Sequence, residues 1–234
     1  MRSLARHRCE RFLRLLPLDD PPAKSGELGP KDRENMKSNA VGYISPPDHV
    51  PWLLRAMLAM VERHLGKPLI ANRILAWYPR AFWGSGIMEG LVARDEPELP
   101  KRLLKLIRVY VSFLASCPFC IDLNAKEYRE VGISDEEMLA LRGLKSFEEV
   151  ASIVAPERAA LEYVRCATST PVAFTPAVID ELRSRFSERA IVIIASTCAQ
   201  VNFWTRLIQS LGVQPAGFSA ECSILDLEKY RTMK

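Results

Sequence analysis

From Pro51 to Gly212 every apolar-periodic stretch of this chain repeats at the helical spacing, and none alternates at period two between turn signals. That single regularity leaves an all-α fold as the expectation. PWLLRAMLAMVERHLG (51–66) sets Leu54, Met57, Leu58, Val61 and Leu65 on one stripe and stops at Gly66. LIANRILAWY (69–78) follows and is broken by Pro79. Residues 80–94 and 100–116 are two further helical stretches, the second with Leu103, Leu104, Ile107, Val111 and Leu114 at the helical period. Ser134 and Glu137 make a capping box that opens a helix ending at Gly143. Pro156 and Pro176 each sit at a helix start, for helices through about 169 and 186. The longest stretch, ERAIVIIASTCAQVNFWTRLIQSLG, is apolar almost all round, which makes it a central helix or an interface.

A chain of 234 residues with 48% hydrophobic residues can bury a core without covalent staples. Its net charge of +4 is spread along the sequence, with no basic run interleaved with aromatics, so no nucleic-acid partner is expected. No apolar run approaches the roughly 20 residues that span a bilayer, so no membrane partner is expected either. The six cysteines, at 9, 117, 120, 166, 198 and 222, are too scattered for a disulfide framework and suit a reducing, cytoplasmic compartment. The Arg-rich start is a poor secretory signal, and Glu10, Asp19 and Asp20 argue against an organellar leader. Residues 1–40 are expected to be a disordered arm; a start codon assigned upstream of Met36 would produce one. Residues 41–215 form the helical domain in this reading, and 216–234 a C-terminal tail.

Chemistry concentrates at Cys117-Pro-Phe-Cys120. The preceding helix should close at Leu114–Ser116, with Ser116 as N-cap of a helix running to about Val131 or Gly132. Cys117 would then stand at the first helical position, facing unsatisfied N–H groups that favour thiolate over thiol. At 100° per residue, Cys117, Cys120, Asn124 and Glu127 share one stripe, and Asp122 points away from it. Three uses fit such a pair: a redox dithiol, half of a zinc site, or two inert buried thiols. Zinc needs four ligands, yet His7, His49 and His64 lie far upstream, and neither Cys166 nor Cys198 has a near companion. Core packing requires neither a capped helix start nor an intervening proline. The placement therefore favours a redox dithiol, with no metal and no organic cofactor.

The amphipathic helix, the CPxC opening the next helix, the Gly-Ile-Ser turn into a capping box, and the late NFWTR helix ending in LG-Val resemble the carboxymuconolactone decarboxylase or AhpD-like family, loosely over residues 43–215. The resemblance implies an all-α homo-oligomer, commonly a dimer, trimer or hexamer. Its peroxidase branch uses a CxxC dithiol to reduce a small hydroperoxide, with a thiol protein as electron donor. The decarboxylase branch generally lacks the pair, so Cys117 and Cys120 point to the thiol branch. Two positions depart from the peroxidase pattern. Its relay histidine falls on Asn124 and its relay glutamate on Lys105, and neither an amide nor a protonated lysine acts as a base. Glu127, lower on the same stripe, is a candidate replacement.

The expected function is thus a thiol oxidoreductase that reduces hydroperoxides by cycling Cys117 and Cys120 between dithiol and disulfide. The alternative, carried by the altered relay, is a family member that has lost catalysis and serves as a binding or scaffold protein.

Overall fold

The structure, a computed structural model, describes residues 42–92 and 96–219. The expected arm at 1–40 and the tail beyond 219 lie outside the described residues. Among those residues there are nine α-helices, two short 3-10 turns and no strand. In chain order the helices are α1 (Trp52–Leu65), α2 (Ile70–Leu75), α3 (Pro79–Val92), α4 (Lys101–Leu114), α5 (Pro118–Asn124), α6 (Asp135–Leu141), α7 (Ala155–Thr168), α8 (Pro176–Arg185) and α9 (Glu188–Ser210). The 3-10 turns cover Tyr128–Val131 and Phe147–Glu149.

The centre is α4. Leu103, Leu104, Leu106, Ile107, Val109 and Val111 are all buried, because α9 and α7 both pack against it. Their side chains join Leu141, Leu161, Val164, Ile194 and Val201 in one apolar core. Burying an aliphatic side chain of this size stabilises the fold by roughly 1.5–3 kcal/mol. The nearly all-round apolar character of the longest stretch has the use expected of it: Ile194, Cys198 and Val201 face the core. The reading that no segment is long and apolar enough for a bilayer needs correction here. By length and composition α9 passes that test. A helix of a protein core can have the same composition, and here Ile194, Cys198, Val201 and Ile208 are buried against other helices.

One cation joins three helices. Arg102 on α4 donates to Glu137 Oε1 at 2.6 Å and to Glu157 Oε1 at 2.7 Å. Glu137 is the capping-box residue of α6, where its Oε2 accepts the Ser134 N–H at 2.8 Å. Glu157 does the same at the start of α7, accepting the Val154 N–H at 3.2 Å. Burial works to raise the Glu137 carboxyl, yet hydrogen bonds led by that from Arg102 outweigh it and hold the group below its ordinary value.

The N-terminal helices are tied together by Glu62, which accepts the Leu69 N–H at 2.9 Å and a two-pronged bond from Arg73 at 2.7 Å. They bring Leu69, Ala71 and Ile74 over the start of α5, where a second, smaller apolar cluster encloses the cysteine pair.

Candidate active site

The cysteine pair sits at a helix junction with no spare residue. At the end of α4 the Ser116 N–H donates to Phe113 O at 2.9 Å and the Cys117 N–H to Ser112 O at 3.1 Å. Those two bonds are the reverse-turn closure that ends many helices, and it requires a left-handed residue between them. Ser116 supplies it, at φ 49°. Pro118 then opens α5, and a residue before proline is driven out of the helical region. Cys117 is accordingly extended, at φ −94° and ψ 103°. The expectation that Ser116 caps α5 is corrected for this reason: Ser116 ends α4, and Cys117 itself is the cap. Its Sγ accepts the Cys120 N–H at 3.3 Å.

Cys117 and Cys120 are joined as a disulfide with Cα atoms 5.3 Å apart. Both are buried, at 0% and 2% exposure. Leu69, Ile74, Phe119, Ile208 and Val213 surround them, with Leu123, Trp204, Ala216 and Phe218 packed at the margin. Among the described residues no group of three or more His, Cys, Asp or Glu side chains is gathered to hold a metal.

The three relay positions are dispersed. Asn124 lies on α5 one turn past Cys120, and its Nδ2 donates to Ser112 Oγ at 2.9 Å. Ser112 spends its only proton on Arg108 O at 2.7 Å, which leaves its lone pairs for the amide. This bond pins α5 to α4. Lys105 reaches the far end of α5 instead of the sulfurs, donating to Lys126 O at 2.6 Å. Burial and the nearby Arg108 push its pKa down, while Glu127 works against them. Glu127 is not on the cysteine stripe. The helix ends at Asn124, and Glu127 is left-handed at φ 56°, with its carboxylate 3.0 Å from Lys126. The expected continuous helix to Val131 or Gly132 is therefore corrected to seven residues, a break and a 3-10 turn.

Sequence reasoning set Asp122 aside as pointing away from the cysteines. It is buried, and its carboxylate accepts the backbone N–H groups of Ala216, Gly217 and Phe218 on Oδ2 and of Ser219 on Oδ1, at 2.7–3.0 Å. Aspartate is a poor residue for the interior of a short helix, and that mismatch was the available signal. On α9, Trp204 beside the cysteine cluster donates from Nε1 to Glu89 Oε2 of α3 at 2.7 Å. Asn202 turns away to Thr168 Oγ1 at 3.1 Å.

Residues 81–165, from α3 to α7 and including the cysteine pair, match the carboxymuconolactone decarboxylase family. That segment is similar to the family, and the chain has the AhpD-like fold. The matched segment supplies the buried α4 and the α5 junction. The uncharacterized protein YnjA of Escherichia coli K12 is 22% identical over 174 residues, covering 74% of this chain and 94% of YnjA. Among solved structures, a peroxidase-related protein from Silicibacter sp. TM1040 superposes with a TM-score of 0.63 at 22% identity, over 77% of this chain and 93% of that one. The debrominase Bmp8 superposes with a TM-score of 0.64 at 20% identity, over 75% and 93%. The fold thus carries more than one chemistry, and the side chains of this chain must decide its own.

Proposed function

We propose that this protein is a thiol-dependent oxidoreductase that reduces a small hydroperoxide through Cys117 and Cys120. One observation carries the reading: the two sulfurs are within bonding reach at a rigid helix junction, and the Cys117 Sγ already accepts a first-turn N–H. A hydrogen bond of that kind favours thiolate. In the reduced protein the Cys117 thiolate attacks the terminal oxygen of the hydroperoxide. The O–O bond breaks, an S–O bond forms, and the departing alkoxide takes a proton to leave as an alcohol. The Cys120 thiol then attacks the oxidised sulfur, forms the disulfide and releases water. Two electrons from a partner thiol protein restore the pair. The apolar enclosure suits a small, uncharged substrate. A reducing, cytoplasmic setting is consistent with this cycle. The exposed Trp52, Leu53, Met60, Trp77 and Ile87 of the α1–α3 region are the surface on which copies of the chain would assemble.

The test is direct. The fully reduced protein is mixed with excess hydroperoxide, the remaining thiols are alkylated, and the digest is weighed. A peptide linking Cys117 to Cys120 is expected. Two freely alkylated cysteines after that challenge would sink the reading and favour a binding or scaffold role.

A further inference from the structure

The sulfurs are buried, so a substrate reaches them only if something moves. Two kinds of element cover them. One is helical: α2 and the end of α9, each held by its own backbone hydrogen bonds. The other is the segment 213–219, which has no regular structure and packs Val213, Ala216 and Phe218 into the cysteine cluster. We propose that residues 213–219 are a strap latched across the dithiol by Asp122, and that release of this latch sets the access of substrate and of the reducing partner to Cys117 and Cys120.

The latch is built at four points. A single buried carboxylate collects four successive backbone N–H groups, those of residues 216 to 219. Consecutive amides converge on one anion only where the chain curls, and Gly217, at φ 73°, provides the left-handed residue. Lys67 holds the outward-facing carbonyls: its Nζ donates to Ala216 O at 3.0 Å and also to Gly217 O. The same ammonium lies 5.6 Å from the centre of the Phe218 ring. Phe218 meets Phe119, one of the two residues between the cysteines, edge to face at 6.2 Å. Asp122 is two residues past Cys120 on the same short helix, so the anchor of the cover and the reacting atoms share one rigid element. With Asp122 in place the strap is a lid fixed at residues 216–219. Without it, four amides lose their acceptor and only the apolar contacts remain. Hydrogen bonds to a charged group are among the stronger individual ones, so their loss should move the open population by at least about tenfold.

The use of this device rests on the dithiol reading above, but its test does not. The full chain is reduced and exposed to iodoacetamide in native buffer, and labelling rates are read cysteine by cysteine from the digest. Hydrogen exchange is followed at residues 216–219. In Asp122→Ala, labelling of Cys117 and Cys120 should rise at least about tenfold, with loss of amide protection at 216–219. Asp122→Asn, which keeps one acceptor oxygen, should fall between. Cys166 and Cys198, buried elsewhere in the molecule, should label at wild-type rates. Faster labelling there would mean general loosening and would overturn the proposal. So would loss of protection at 216–219 with unchanged labelling of Cys117 and Cys120. If Asp122→Ala does not fold, Phe218→Ala and Lys67→Ala loosen the strap from its other side, and unchanged labelling in both overturns it equally. Failure of the peroxide reading looks different: wild type and variants alike stay reduced after hydroperoxide, while their labelling rates still differ.

Discussion

Ser116 holds a backbone conformation that an L-residue adopts at a cost, and the reason is positional. The closure of α4 needs a left-handed residue there, and glycine is the usual solution. Ser116→Gly should therefore stabilise the protein, by about 0.5–1 kcal/mol once the greater freedom of glycine in the unfolded chain is counted. The denaturant midpoint should rise while the slope stays the same. A lower midpoint would mean that the serine side chain contributes more than the strain costs. The cysteine pair itself was legible in the sequence, because its spacing and the proline between its members are local features. Asp122 was not. Its partners lie 94 to 97 residues away in sequence, and they are backbone amides, which carry no side-chain signature.

Helices were the most legible objects. The stripes predicted over 51–66, 100–116 and 188–212 correspond to α1, α4 and α9, because each has enough turns for its period to declare itself. The helix expected after the cysteines is too long, because the stripe through Asn124 and Glu127 exists only if the helix continues past Asn124. Backbone conformation ends it: Glu127 is left-handed, and a 3-10 turn follows. Of the two positions the resemblance assigned to a relay, Asn124 lies one turn past Cys120 and bonds Ser112, while the long side chain of Lys105 reaches the other end of α5. That geometry bears on the family's relay. Lys105→Glu together with Asn124→His places a carboxylate and an imidazole at the two positions. General-base catalysis is typically worth about 10²–10⁴-fold, so hydroperoxide turnover in the double variant should rise at least about tenfold. A folded double variant with unchanged turnover would separate this site from the peroxidase branch.

At the scale of the whole molecule, Arg102 connects the beginnings of α6 and α7 to the side of α4. Removing it leaves Glu137 buried without its cation, and Arg102→Met should cost about 3–5 kcal/mol, read by denaturant unfolding at pH 7. The pH dependence follows from the Glu137 carboxyl, which is held below its ordinary value of 4.5. A depressed carboxyl stabilises the folded state fully above the unfolded value and ceases to do so as pH falls through the folded one. Wild-type stability should thus decline below about pH 4.5, and Glu137→Gln, already less stable at pH 7, should decline less steeply over that interval. A parallel decline in both would remove Glu137 as the source. The junction at Cys117 has a different kind of consequence. Its N–H ends one helix while its sulfur begins the next, so the chain passes between them with no linker to absorb a change in length. One residue inserted into either helix beside it would turn the rest of that helix by about 100°, carrying the sulfurs out of their apolar enclosure and Asp122 away from its four amides. Substitutions near the pair can be absorbed by repacking, but insertions and deletions cannot. The count of residues from Ser112 to Asp122 is therefore what this architecture constrains, more strictly than the identity of most side chains between them.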